Sequence, residues 1–388
     1  MQKNKRKIYL DNAATTAMDK GVFDKMKPYF GEIYGNPSSF HSVGKRAKDA
    51  IEEAREKVAR VLNCKTSEII FTGGGTESDN LAILGLAKIK GRGHIITSKI
   101  EHHAVLYPCE YLEKNGFEVS YIRPEKDGII SVDNILRVIK PDTFLVSIMY
   151  ANNEIGTIQP IKEIARAVKK KNKNILIHTD ACQAGGVFDI NVDDLGVDLM
   201  TLNGSKLYGP KGVGVLYKRT GIKIEPITYG GGQEGGMRPG TENVAGIVGF
   251  SEGLELAQKN KEKENKRLIA LRNKLIDGIL KNISGSELNG SKELRLPNNV
   301  NISFSKVEGE AVILYLDSFG VYAATGSACT SKSLAPSHVI KALGKSDEVA
   351  HSSIRFTLGK DTKEADIKFI IKILPKIIED LRKISVIR

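Results

Sequence analysis

Cysteine is scarce in this 388-residue chain. Cys64, Cys109, Cys182 and Cys329 are its four thiols, and no two of them form a Cys-x-x-Cys pair. Thiols so few and so widely spaced exclude a disulfide scaffold and a cysteine-built zinc site, so no metal site is expected. They fit a reducing compartment, and the cytoplasm is the expected location. Long apolar runs are also missing. None approaches the roughly 20 residues needed to cross a bilayer, so no membrane span is expected. The basic start, Met1 to Lys7, leads straight into Ile8-Tyr-Leu10 without an apolar core of signal length, and no secretion signal is expected. Internal repeats and low-complexity segments are absent. The net charge is +12, yet the lysines are scattered. The densest run, Lys169-Lys170-Lys171-Asn172-Lys173, falls where a helix should end, and cations there favour the helix dipole. No basic stretch carries interleaved aromatics, so no dedicated nucleic-acid surface is expected.

What is present describes an ordinary globular protein, with 41% hydrophobic and 27% charged residues and length enough for two domains. From about Glu68 to Tyr217, short apolar runs alternate with helical stretches. The strand candidates are 68–71, 94–97, 117–121, 144–148, 175–178 and 213–217, with helices such as 77–88 and 161–171 between them. This alternation predicts an α/β fold with a largely parallel sheet covered on both faces. Ligands of such sheets sit at the carboxyl ends of the strands, where Asp180, Asn153 and the glycines after Phe71 fall. After about Asn243 a long helical stretch runs to about Ile283. A turn-rich segment, the run Asn299–Phe304, a helix from Glu308 and a last helix follow. In that last helix Ile367, Ile370, Ile371, Leu374, Ile378 and Leu381 form one apolar stripe, and Pro375 is expected to kink it. The second part therefore reads as a smaller α+β domain joined by the N-terminal arm.

Chemistry concentrates around Lys206. It lies in Asp198-Leu-Met-Thr-Leu-Asn-Gly-Ser-Lys206-Leu-Tyr-Gly, a glycine-flanked loop after a strand, and Asp180 closes the preceding apolar run. An amine and a carboxylate converging on one ligand are what a pyridoxal phosphate site needs. The amine forms a Schiff base and the carboxylate keeps the pyridine nitrogen protonated. Phe71-Thr-Gly-Gly-Gly-Thr76 is a strand, three glycines and a helix start, which lets backbone N–H groups approach a phosphate; it is not a P-loop, since no Gly-Lys-Ser/Thr follows. Glu101-His102-His103 supplies an imidazole that can stack on a flat ring or move protons. Asp180-Ala-Cys-Gln183 sets a carboxylate, a thiol and an amide together. Thr325-Gly-Ser-Ala-Cys329-Thr-Ser, with the small and polar residues up to His338, reads as an exposed loop carrying an accessible thiol.

Together these residues resemble the cysteine desulfurases, class V members of the fold-type-I pyridoxal phosphate enzymes, in the nitrogenase-maturation and iron–sulfur-cluster subgroup. The resemblance covers nearly the whole chain. It runs from Tyr9-Leu-Asp-Asn-Ala-Ala-Thr-Thr16 through Gly35–Ser39, Thr76–Asn80, Asn152–Gly156, Gly230–Glu234 and Arg238–Asn243, to Gly326-Ser-Ala-Cys-Thr-Ser331 and Ser352–Phe356. It implies a large domain (17–258) with a mostly parallel seven-stranded sheet, and a small domain (1–16 and 259–388) carrying the cysteine loop. It implies pyridoxal 5'-phosphate on Lys206, with Asp180 at the pyridine nitrogen, Gln183 at the phenolate oxygen and His102 on the ring face. Gly75, Thr76, Asn203 and Ser205 would lie at the phosphate, with Thr241 reaching the cofactor of a second subunit, hence a homodimer. Asn36, Asn153 and Arg355 would meet the substrate, L-cysteine, with Arg355 on its carboxylate. Cys329 would take the sulfur as a persulfide, with His102 as its candidate activator, and pass it to an acceptor such as an iron–sulfur scaffold for cluster assembly or tRNA and cofactor thiolation. Transient contact of Cys329 with a scaffold-bound cluster belongs to that reading.

Ser205 departs from the pattern, because the family commonly has histidine directly before the lysine, and Asn203 is a second change at the phosphate end. Three alternatives stand beside this reading. One is a class V aminotransferase, and another a lyase acting on selenocysteine; neither needs Cys329. The third is a non-catalytic partner that keeps the fold.

Overall fold

In the computed structural model, residues 7–326 and 335–384 are described. After a two-residue strand β1 (Ile8–Tyr9), seven strands build one sheet: β2 (Ile69–Thr72), β3 (His94–Ser98), β4 (Glu118–Ile122), β5 (Thr143–Ser147), β6 (Leu176–Asp180), β7 (Leu199–Asn203) and β8 (Gly214–Lys218). Their spatial order is β2-β8-β7-β6-β5-β3-β4. The neighbours from β4 to β7 run parallel, while β8 is antiparallel to both β7 and β2. Central strands such as β3 and β5 are buried at every position, as a sheet covered on both faces requires. Each expected strand appears within two residues of its predicted limits. The strand between Asp180 and Lys206 is β7.

The covering helices follow from their patterns. The helix Ile161–Lys171 buries Ile161, Ile164, Ala165 and Val168 and ends on Lys169, Lys170 and Lys171, a helical stripe with cations at its negative end. The helix Gly75–Lys90 starts on the third of the three glycines that follow β2.

The 39-residue helix Val244–Asn282 serves two cores. Its first part, Val244 to Leu254, packs with Ala47, Ile51 and Leu202 beneath the large sheet. Its last part, Leu268 to Ile279, packs in a separate cluster with Ile8, Leu10, Val300, Ile302 and Phe356. That cluster covers a second, antiparallel sheet of β9 (Ser286–Leu288), β10 (Asn299–Phe304), β12 (Ala324–Thr325) and β13 (Ser353–Thr357). β1 pairs in parallel with β11 (Val321–Tyr322), which brings the N-terminal arm to this sheet's edge. The closing helix, Glu364–Ile384, continues through Pro375 as one helix. The proline removes one donor, and the buried stripe of Ile367, Ile370, Leu374, Ile378 and Leu381 holds the turns on either side against the core. Among the described residues no helix is long and apolar enough to cross a membrane.

Candidate active site

The carboxyl ends of β2, β3, β5, β6 and β7 lie on one side of the sheet, and each is at or just before a polar residue of the expected site. β6 ends on buried Asp180, whose Oδ1 accepts the Cys182 N–H at 2.9 Å. β7 ends on Asn203, whose Oδ1 accepts from the Ser205 N–H (3.2 Å) and hydroxyl (3.3 Å). These bonds cap the short turn Gly204–Lys206 and fix the lysine backbone. Beyond β3, His102 caps the helix His103–Lys114, its Nδ1 accepting from Ala104 N at 3.1 Å. That bond fixes both the ring's plane and its tautomer. Beyond β5, Asn152 Oδ1 accepts from the backbone N–H groups of Glu154 (2.8 Å) and Ile155 (2.9 Å), turning the chain at Asn153.

The glycines after β2 form the floor of a cleft of about 650 Å³, also lined by Ala14, Thr15, Thr76, Asn203 and Ser205. A second cleft, about 550 Å³, adjoins it through Thr76 and Asn80 and is lined by His102, His103 and Tyr107. A methyl group on Gly75 would lie 2.7 Å from Cys182 Sγ, so only glycine fits there. The helix that Gly75 begins has no side-chain cap, which leaves its first turn to serve an anion.

Electrostatics ties these groups together. Burial holds His102 below the usual histidine range; Asp180 pulls upward, while His103, Lys206 and His338 add to the depression. The His102 imidazole is therefore neutral. Burial, together with Asp180 and Asp79, drives the Cys182 thiol well up. Burial also pushes Cys64 up to about 12 and raises Cys109 further. None of these three thiols suits a nucleophile. Behind Asp180 lies a dry layer. His178, pushed down to about 4 by burial, meets Ser147 Oγ at 2.8 Å and Thr201 Oγ1 at 3.1 Å, with Asp79 Oδ1 at 3.6 Å. Burial and the Asp180 charge hold Asp79 well above the carboxylate range.

The expected site residues fall in three groups. Lys206, Asp180, His102, Gly75, Thr76, Asn203 and Ser205 come together in and around the two clefts. Gln183, Asn153 and Arg355 line neither cleft and are tied to the site through hydrogen bonds to the arm and to each other. Gln183 Nε2 donates to Ala13 O at 3.0 Å, and Arg355 Nη1 donates to Asn153 O at 3.1 Å. Asn36 and Thr241 are exposed and line neither cleft; Asn36 Oδ1 accepts from Ser38 N at 2.9 Å within its own turn. Cys329 lies outside the described residues. Sequence reasoning gave no role to single residues of the N-terminal arm, yet Asp11 to Thr16 run along the whole site. Asp11 pairs with Arg355 at 2.8 Å, Ala13 O meets Gln183, Ala14 O accepts from Lys206 Nζ, and Ser205 O accepts from Thr16 N at 2.9 Å. The motif Tyr9–Thr16 was visible, but contacts spanning so much sequence leave no local signal.

These residues fit a pyridine ring bearing a phosphate. A carboxylate, a cleft-lining imidazole and a primary amine share electrostatic contact, and an uncapped helix start lies beside a glycine floor. Thr15 Oγ1, buried and without a protein partner, lines the same cleft as a further hydroxyl for the phosphate.

Fold and site define an α/β enzyme of the pyridoxal phosphate type. The aminotransferase class-V family model matches residues 8–370, and the chain belongs to that family. It is 52% identical over 384 residues to a cysteine desulfurase IscS of Dictyoglomus turgidum, covering 98% of this chain and 97% of that one. It is 50% identical over 381 residues to a cysteine desulfurase IscS of Methanosarcina thermophila, covering 97% and 93%. Among solved structures, a NifS-like protein superposes with a TM-score of 0.91 at 39% identity, covering 97% of this chain and all of the other. A structure of SspA in complex with cysteine matches with a TM-score of 0.78 at 38% identity, over 90% and 98%. The family and its desulfurase members depend on pyridoxal phosphate, and so does this chain.

Proposed function

We propose that this chain uses the cleft around Lys206 and Asp180 to convert L-cysteine to L-alanine, passing the sulfur to Cys329. It is a pyridoxal phosphate-dependent cysteine desulfurase, and the relatives at about half identity over nearly the full length support that activity. The observation that carries the residue roles is the convergence of a lysine amine, a carboxylate and a neutral imidazole beside an anion-binding helix start.

When bound, the cofactor supplies an electron sink that makes the substrate Cα–H bond acidic. Lys206 holds the cofactor and, once the substrate has taken its place, removes the Cα proton at Nζ. Asp180 would pair with the ring nitrogen, its orientation fixed by the Cys182 N–H. His102 would lie against the ring face, and Gln183 would donate to the phenolate oxygen. Gly75, Thr76, Asn203 and Ser205, which line one cleft, would hold the phosphate, and Thr241 would reach that of a second subunit, which makes the proposed working form a homodimer. Asn36 and Asn153 flank the substrate, and Arg355 takes its carboxylate in a two-pronged grip.

Cys329, as a thiolate, attacks the substrate sulfur. The Cβ–S bond breaks, its electron pair stays on Cβ and is protonated, and Cys329 leaves as a persulfide. L-cysteine plus one thiol thus gives L-alanine plus one persulfide, with no outside oxidant. The persulfide is passed to an acceptor protein of iron–sulfur assembly or thiolation, in the cytoplasm. We assign 17–258 to the cofactor-binding domain and 1–16 with 259–388 to the small domain.

The test is incubation of the purified protein with L-cysteine, reading alanine release and a mass increase of one sulfur on Cys329. Cys329→Ser should lose persulfide and alanine together. Alanine formed by Cys329→Ser at an undiminished rate would remove Cys329 from the mechanism. A keto acid formed in place of alanine would point to an aminotransferase.

A further inference from the structure

Arg355 is the largest side chain buried almost completely, 2% exposed, and its donors are unequally met. Nη1 donates to Asn153 O at 3.1 Å, and Nη2 donates to Asp11 Oδ1 at 2.8 Å. Nε is buried with no hydrogen-bond partner among the described residues. In a guanidinium, Nε–H and one Nη2–H point the same way and match the two oxygens of a carboxylate. Asp11 meets one nitrogen of that edge with one oxygen. An α-carboxylate meeting both would satisfy the orphaned donor as well.

Two carboxylates on the same nitrogen repel each other, so the better-matched one excludes the other. The two partners differ in freedom to leave. Asp11 is 21% exposed at its side chain and can turn to water, while its backbone stays held by the bridge to Thr357. Arg355 cannot turn away, and a buried guanidinium without an anion is costly, so some carboxylate must face it at all times.

We propose that Asp11 is a specificity-determining residue: it and the substrate α-carboxylate are alternative partners of Arg355. Only a ligand bearing a carboxylate can take the guanidinium from Asp11; an amide or ester of the same amino acid cannot. This rests on the reading of Arg355 as the carboxylate grip, and goes beyond it by naming the group that the substrate must displace.

The test is calorimetric titration of the holoenzyme with L-alanine and with L-alaninamide. Asp11→Asn should bind L-alanine about tenfold more tightly than wild type, since about 1.4 kcal/mol of competition is removed, with alaninamide unchanged. Asp11→Glu keeps the charge and should return wild-type affinity. L-alanine binding that is unchanged or weaker in a variant with wild-type Tm overturns the proposal. Asp11→Ser gives the same reading if Asp11→Asn does not fold. Arg355→Lys separates the two levels. If it binds L-alanine as wild type does, the grip itself is wrong. If it binds weakly while Asp11→Asn is unchanged, the exchange alone is wrong.

Discussion

The hydroxyl of Ser337 donates to Glu154 Oε2 across 2.5 Å in a fully buried contact. Glu154 belongs to the turn beyond β5, and its backbone carbonyl accepts from Asn299 Nδ2 (3.0 Å) and Asn301 Nδ2 (3.1 Å) of β10. It also lies against Gly326, where a methyl group would come within 2.3 Å of Oε2. One residue of the large sheet's edge thus holds positions on both sides of the segment that carries Cys329.

Burial pushes Glu154 up to about 7, against the opposing pull of Ser337 and Arg355. A raised carboxyl contributes stability that is complete below its unfolded value near 4.5 and is lost as pH rises through about 7. The loss is about 3 kcal/mol. Glu154→Gln cannot titrate, so its urea midpoint should fall less than that of wild type between pH 4.5 and pH 7.5. Equal falls in the two proteins would show that Glu154 is not held protonated.

Lys206→Ala should lower alanine formation by about 10³-fold or more, because both the anchor and the base are lost. Borohydride reduction should attach the cofactor to residue 206 of wild type and leave the variant unlabelled by mass spectrometry. A labelled Lys206→Ala protein would place the anchor elsewhere.

Gly75→Ala pushes a methyl group into Cys182 Sγ at 2.7 Å. Overpacking of this kind costs about 1–3 kcal/mol, which should weaken cofactor binding roughly tenfold or more. Gly75→Ala with Cys182→Ala opens the space and should recover most of the affinity in a fluorescence titration. A double variant as weak as the single one would mean that steric contact is not the cause.

Glu234 grips Arg55 in a two-pronged pair, Oε1 to Nη2 at 2.7 Å and Oε2 to Nη1 at 2.9 Å, and also accepts from Phe71 N at 2.9 Å. Both side chains are largely buried. Glu234→Ala leaves Arg55 with only the exposed Glu52 carboxylate, 3.4 Å from Nε, and β2 without one bond, and should cost about 3 kcal/mol. Chemical denaturation measures this; a loss below 1 kcal/mol would show that water reaches the guanidinium.

The large sheet was legible because its central strands are buried on both faces and read as unbroken apolar runs. The helix 161–171 matched at both ends because its stripe and terminal lysines agree. β9, β11 and β12, at two or three residues each, carry too little pattern to stand out from the turns around them. In the site, local sequence gave the residues at strand ends, since the fold fixes where strand ends point. It could not give the Asp11–Arg355 pair, whose members are 344 residues apart, nor the dry layer of Asp79 and His178 behind Asp180. Each of those residues reads locally as an unremarkable part of a strand, helix or turn, and acquires meaning only when distant segments meet.

The parallel pairing of the arm strand with β11, and of Asp11 with Thr357, has a bearing on how the protein is made. A growing polypeptide can complete the seven-stranded sheet, lysine included, while Ile8 to Asp11 of the arm that emerged first still lack the strands they pair with. Arg355, the proposed grip on the amino acid's carboxylate, arrives only with β13, the final strand. Until then the nascent chain holds the residues proposed to meet the cofactor but lacks the one proposed to meet the substrate's carboxylate.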